Sequence, residues 1–260
     1  MLRVIIRRWM AAAVVHRLDQ ADLAALGQAC GIPLAAYRPG HVQACVGRML
    51  TRCGVPDLPG LARLCQRDAA ARAAVARCLL VPTTGLFRDP EQFALLARDI
   101  LPGLAGRRGG VRVWSAGCSD GTELYSVALL LRRLGVLPRC QLLGTDILAE
   151  RVDRASRSGP VAGPTGTARR EAAAVLRWQR RDLVQEPPPP GLFDLVLCRN
   201  VLIYLDGGVR PAVHHKLAAV LRRGGVLLLG RSEWLPAPAR LGLAPAGPHA
   251  YRKEAACGPT

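Results

Sequence analysis

The chain predicts an α/β protein: a mostly parallel, doubly wound sheet preceded by a small all-α domain. Three observations carry this. From residue 111 onward, short apolar runs alternate with helical patterns, which is how parallel strands joined by covering helices read. Before residue 80 the apolar residues recur only at helical spacing. And 260 residues are enough for one large core and a smaller partner.

Taken in order, residues 1–80 form a helical domain, 81–110 a linker with a connecting helix, and 111–260 the sheet domain. Arg3, Arg7 and Arg8 lead into the apolar run Trp9 to Val15, the order of a signal peptide. Arginines break that run early and no small-residue cleavage site follows, so the expectation is a helical extension or a true start at Met10. Between Pro39 and Cys53, the residues Val42, Cys45, Val46, Met49, Leu50 and Cys53 make one helical stripe, and Gly54 supplies a stop. Arg48 and Arg52, four apart, share a neighbouring face.

Asp89 suits a helix N-cap, Pro90 the first helical position and Gln92 the reciprocal capping position. That helix is expected to run to about Asp99 and to stop before Leu101-Pro-Gly103. Strands are expected at Val111–Ser115, Gln141–Gly144, Phe193–Cys198 and Gly225–Gly230, with a helix over Thr122–Leu134. The stretches Ser156–Thr167 and Pro187–Pro190 are rich in Gly and Pro and are expected to be loop.

Composition narrows the function classes. Basic residues number 36 against 19 acidic, a net +17, and only Lys216 and Lys253 among the 36 are lysine. Arginines spread evenly along a chain are ordinarily a solvated background, while a field of this sign also favours an anionic partner. The 11 aromatics are not interleaved with arginine, which argues against a single-strand stacking platform. Up to residue 80 there are 11 Arg and 4 Asp, a local +7, so one face of the early helices can dock an acidic helix. Nine scattered cysteines without Cys-x-x-Cys, and no zinc-like histidine spacing, predict thiols in a reducing cytoplasm rather than disulfides or metal. No apolar stretch reaches the roughly 18 residues a bilayer span needs.

Ligands of open α/β sheets sit beyond the carboxyl ends of the strands. Those ends carry Gly117 and Gly121, then Asp146, then Arg199-Asn200. Glycines in the first turn let backbone approach a ligand closely and open a helix with unpaired N–H groups. An acid 25 residues beyond Gly121 is placed to accept both hydroxyls of a ribose. The turn is neither the dinucleotide G-x-G-x-x-G nor a P-loop, so an adenosine-containing cofactor is expected without hydride transfer or nucleotide hydrolysis.

Four segments carry a resemblance: Thr84-x-Leu-Phe-Arg-Asp-Pro90, Val113-Trp-Ser-Ala-Gly-Cys-Ser-x-Gly-x-Glu-x-Tyr-Ser126, Thr145-Asp-Ile147 and Phe193-Asp-Leu-Val-Leu-Cys-Arg-Asn-Val-Leu-Ile-Tyr-Leu-Asp206, with Gly230-Arg-Ser-Glu233 after them. Together they resemble the CheR-type chemoreceptor glutamate O-methyltransferases. The resemblance implies a class I S-adenosylmethionine-dependent methyltransferase that forms glutamate methyl esters on methyl-accepting chemotaxis receptors. It further implies that Thr84 and Arg88 reach the cofactor from the linker, that Glu123 meets the ammonium of its methionine tail, and that Asp146 holds the ribose. Asp182 and Leu183 would flank the adenine, Arg199 and Asn200 would line the methionine end, and Tyr204 would lie near the sulfonium. Gly117 would border the cofactor in the first turn. Arg88 and Tyr204 are the catalytic candidates. Arg48 and Arg52 lie on the basic helix the family uses against acidic, Glu-bearing receptor helices. The expected protein is a cytoplasmic monomer with no nucleic-acid partner and no membrane insertion.

Departures from the family pattern are Pro82 where Asn is usual, Thr122 and Leu124 in the first turn and helix, and a shortened, loop-like segment over 150–192. They keep two alternatives in view: a non-catalytic or diverged module that binds S-adenosylmethionine, and a same-fold methyltransferase with another target.

Overall fold

The computed structural model describes residues 19–80, 85–107, 109–159 and 163–254. The chain forms two compact units, Met1–Val81 and Pro82–Thr260.

The first unit is helical. Helix α1 (Gln20–Cys30) is followed by α2 (Pro39–Cys53), α3 (Leu58–Arg67) and α4 (Ala69–Leu79). Three of its four acids start helices: Asp19 accepts from Ala21 N, Asp57 from Gly60 N and Asp68 from Ala70 N. Each such cap contributes about 1 kcal/mol. It also places the carboxylates at helix N-termini, away from the middles of the helices. The α2 stripe buries Val42, Cys45, Val46 and Met49, with Leu50 and Cys53 at its half-buried margin, and Gly54 ends the helix at φ 66°. Arg48 and Arg52 are exposed.

The second unit is built on a seven-stranded sheet. Its strands are β1 (Arg112–Ala116), β2 (Gln141–Asp146), β3 (Leu176–Arg180), β4 (Phe193–Cys198), β5 (Leu221–Leu229), β6 (Leu243–Gly247) and β7 (Ala250–Lys253). In space the order is β3-β2-β1-β4-β5-β7-β6. The first five are parallel and β7 runs antiparallel to both β5 and β6. Strand β4 is buried along its whole length, as expected of a parallel strand covered on both faces. The covering helices are α5 (Pro90–Leu95), α6 (Leu101–Ala105), α7 (Thr122–Arg133), α8 (Ala149–Arg157), α9 (Gly166–Val175) and α10 (Arg210–Ala219). One face of the core packs Leu96, Ile100 and Leu104 with Leu124, Val127 and Leu131 against Val113, Leu195, Leu197 and Leu228. Each such side chain contributes on the order of 2 kcal/mol when fully buried.

Several expectations change. The helix from Pro90 does not stop before Pro102: a π turn, Leu96–Ile100, joins α5 to α6. Pro102 then falls in the first turn of α6, where its missing N–H costs nothing. The 150–192 segment is not loop-like. Helix α8 runs on through Arg157, α9 begins at Gly166, and β3 follows directly. Strand β3 escaped notice because it is a sheet edge: only Leu176 is buried and Arg177, Gln179 and Arg180 are exposed, so no alternation shows. Pro187–Pro190 is loop as expected.

Candidate functional site

The site lies at the carboxyl ends of β1, β2, β4 and β5. After β1 the chain turns through Gly117 at φ 77°, Ser119 at φ 52° and Gly121 at φ 84° before entering α7. Both glycines are demanded by packing as well as by φ. A Cβ on Gly117 would lie 2.5 Å from a methyl of Val201, and one on Gly121 would overlap the Trp178 ring. The turn is pinned to the end of β2, where Gly117 N and Cys118 N both donate to the Thr145 carbonyl at 2.8 and 2.9 Å.

Asp146, the last residue of β2, is 5% exposed. Its Oδ2 accepts from Ser119 N at 2.9 Å and its Oδ1 from Leu148 N at 3.0 Å, while Arg151 stands 3.9 Å away. Burial pushes its pKa up, and Arg151 with the N–H groups of Leu148, Ser119 and Ile147 pulls it back. With three N–H groups on it, the carboxylate keeps acceptor capacity for a further donor. The backbone of β3 continues alongside, with Arg181 N donating to the Asp146 carbonyl at 2.9 Å.

Arg199, just past β4, is the hub of the site. Its side chain is 3% exposed. Nε donates to Gln92 Oε1 at 2.7 Å and Nη1 to Glu123 Oε2 at 2.9 Å. Nη2 donates to the Arg88 carbonyl at 2.6 Å and to Asp89 Oδ2 at 2.9 Å. The guanidinium also lies over the Phe93 ring, 5.0 Å from its centroid. The other oxygen of Glu123, Oε1, accepts from the Ser115 hydroxyl at 2.8 Å. Two carboxylates thus share one buried arginine, and Asp89 meets a second, exposed one, Arg231, at 3.8 Å.

The expected capping roles of Asp89 and Gln92 are corrected by this hub. Asp89 sits at the N-cap of α5 with φ 58° and its side chain makes no cap bond. It pairs with Arg199 instead, carboxylate to guanidinium at 2.9 Å, an interaction between two full charges. Gln92 is buried and bridges Arg199 to the Leu229 carbonyl, the latter at 2.7 Å.

Glu233 is the residue that reading the sequence missed. It is 3% exposed, and its carboxylate accepts from Asn200 N, Val201 N, Ile203 N and Gly230 N at 2.7–3.1 Å. It lay within a quoted motif, but nothing local marked it as the anchor of a loop more than 30 positions upstream.

The remaining candidates fall around the same edge. Arg88 is half-buried between two left-handed residues, Phe87 at φ 54° and Asp89 at φ 58°. Asn200 is left-handed too, at φ 58°. With Ser119, four of the five non-glycine residues of positive φ in the described chain border this site, and backbone strain of this kind gathers at functional centres. Tyr204 ends the 3-10 turn Leu202–Tyr204 and is half-buried. Asp182 uses Oδ1 to cap its own turn, accepting from Val184 N and Gln185 N. Lys216 on α10 clasps the carbonyls of Leu183, Val184 and Glu186. Thr84 lies outside the described residues, and so does the departure at Pro82. Arg48 and Arg52 belong to the helical unit. Among the described residues no group of His, Cys, Asp and Glu could hold a metal ion, and no helix is long and apolar enough to cross a membrane.

Comparison with known proteins agrees with this architecture. Residues 82–159 and 161–245 match the family described as "CheR methyltransferase, SAM binding domain". An uncharacterized 104.1 kDa protein of Rhodobacter capsulatus is 31% identical over 76% of this chain, which spans only 23% of that protein's length. A chemotaxis protein methyltransferase of Listeria innocua is 32% identical over 69% of this chain and 75% of its own. Chemotaxis protein methyltransferase 1 of Vibrio cholerae is 30% identical over 79% of this chain and 85% of its own.

Proposed function

The chain belongs to the CheR methyltransferase family, and from that premise we propose that it is an S-adenosylmethionine-dependent protein-glutamate O-methyltransferase acting on chemoreceptor helices. One observation carries the reading: the Asp146 carboxylate at the end of β2, held by the N–H groups of Ser119 and Leu148 beside the glycine turn.

The residues fit the cofactor by their chemistry. Asp146 offers acceptors for a ribose diol. Glu123, which takes one bond from Arg199 and one from the Ser115 hydroxyl, offers a carboxylate to the cationic methionine end. Asp182 and Leu183 stand on the turn beyond β3 as the candidates for the adenine. When bound, S-adenosylmethionine supplies an electrophilic methyl group for transfer to a carboxylate oxygen. A target glutamate is already an anion at neutral pH, its ordinary pKa being about 4.3, so no general base is required of the chain. What remains is alignment and exclusion of water. Arg88 is the candidate for gripping the incoming carboxylate through both oxygens. Its backbone is fixed for that task by the Arg199 bond to its carbonyl. Tyr204 and Asn200, on the loop anchored by Glu233, are the candidates for the reacting end.

Replacing Asp146 with asparagine should weaken S-adenosylmethionine binding about 10- to 100-fold, the worth of charge-assisted hydrogen bonds. Isothermal titration measures this. Affinity equal to the wild type would remove the ribose assignment. The function itself is tested by transfer of radiolabelled methyl to a receptor fragment, with base-labile loss of the label marking an ester. Label stable to base, or none at all, would refute it.

For the receptor we infer docking on α2. With three acids of this unit committed as helix caps, Arg48 and Arg52 project from a face of positive charge. The double reversal Arg48→Glu, Arg52→Glu should weaken capture of an acidic receptor fragment about tenfold at low salt. The loss should shrink as salt screens it. Capture unchanged at low salt would remove the docking role.

A further inference from the structure

Five of the nine cysteines lie in the helical unit, at positions 30, 45, 53, 65 and 78, and all five are free thiols. Two of them face each other across α2 and α4. The Cys45 thiol donates to the Cys78 carbonyl at 3.0 Å, and the Cys78 thiol points back at the Cys45 carbonyl at 3.8 Å. A single nitrogen, Nη2 of Arg48, sits on both sulfurs, 3.1 Å from Cys45 and 3.5 Å from Cys78. His41 Nε2 is spent on the Leu79 carbonyl at 2.7 Å and stays 3.9 Å from the Cys45 sulfur.

The two sulfurs are unequal. Cys45 is 1% exposed, and burial, with Cys78 alongside, pushes its thiol up to about 11. Cys78 is only half-buried, with the exposed arginine above it. Of the two, Cys78 is the sulfur a peroxide can reach, with the Arg48 guanidinium beside it to orient the peroxide oxygens. A buried thiol within reach of it is what resolves the first oxidation product.

We propose that Cys45 and Cys78, capped by Arg48, are a modification site: a dithiol that a hydroperoxide closes to a disulfide joining α2 to α4. The proposal concerns the chemistry of the helical unit and holds whatever α2 docks against. In the first step the Cys78 thiolate breaks the O–O bond of the peroxide, becomes a sulfenic acid and releases hydroxide, which takes up the proton the thiol gave. In the second, the Cys45 sulfur attacks the Cys78 sulfur, the S–S bond forms, and the sulfenic oxygen leaves as water with the Cys45 proton. Two thiols and one hydrogen peroxide become one disulfide and two waters.

The molecule holds its own control. Cys30 and Cys65 form a second neighbouring pair, but both are buried, and burial, with Cys65 alongside, lifts the Cys30 thiol to about 12. That pair should stay reduced in the folded protein.

The test treats the reduced 260-residue chain with stoichiometric hydrogen peroxide and follows intact mass and peptide map. The expected result is loss of two hydrogens, a Cys45–Cys78 linked peptide, and full reversal by dithiothreitol. Cys45→Ser should leave a sulfenic acid on Cys78 that dimedone traps. Arg48→Ala should slow disulfide formation several-fold. A Cys30–Cys65 link in place of the expected one, oxidation that stops at sulfinic acid, or no mass change would each overturn the proposal in the wild-type chain alone. A rate unaffected by Arg48→Ala would overturn it as well.

Discussion

Arg199→Met should lower the unfolding midpoint of this protein by roughly 6 to 20 °C, because breaking a buried ion pair costs about 3–5 kcal/mol and each kcal/mol is worth about 2–4 °C in a unit of this size. The side chain is nearly sealed from solvent and makes four hydrogen bonds, two of them to carboxylates. Methionine fills the volume but leaves Glu123 without its counter-charge and Asp89 with only the exposed Arg231, 3.8 Å away. It also strands Gln92 Oε1 and the Arg88 carbonyl. Thermal unfolding followed by circular dichroism measures the shift. A midpoint within a degree or two of the wild type would mean that the four partners find replacements, and the hub would lose its standing. Lysine at 199 keeps the charge but not the fork, and should fall between the two.

Arg88→Ala should cut methyl transfer by about 10²- to 10³-fold, the range seen when a single charge-orienting donor is removed from an active site. Binding of S-adenosylmethionine should stay measurable by titration. The backbone at 88 has supports besides its own side chain. Phe87 N is held by the Ser126 hydroxyl at 3.0 Å, the Phe87 ring packs edge-on against Phe93, and the Arg88 carbonyl is held by Arg199. Single-turnover transfer to a receptor fragment at saturating cofactor gives the decisive number. Undiminished turnover would take Arg88 out of the chemistry.

Much of the sheet unit was readable because its signals are local. Phe193–Cys198 is an unbroken apolar run around one acid, and that acid, Asp194, is buried and paid for by Arg107 and the Arg112 N–H. The Thr122 helix announced its buried face through Leu124, Val127 and Leu131. The misreadings share a cause: side chains whose partners are distant. Asp89 and Gln92 satisfy every rule of local capping, yet Arg199 lies 110 and 107 positions away and binds both more strongly. Strand β3 follows α9 without a turn residue and shows solvent most of its side chains. Strand β6 carries Pro245, which demotes a strand to an edge, and an edge is where it lies. Glycines 117 and 121 were read for their closeness to a ligand. What they visibly make room for is Val201 and Trp178.

The four N–H groups gathered by Glu233 come from two different strand exits, Gly230 after β5 and Asn200 to Ile203 after β4. One carboxylate therefore rivets both into a single plate, and neither can swing without tearing the other's amides from their acceptor. The 85–89 stretch is tied into the same plate, to the β4 exit by the Arg199 fork and to α7 by the Ser126 hydroxyl.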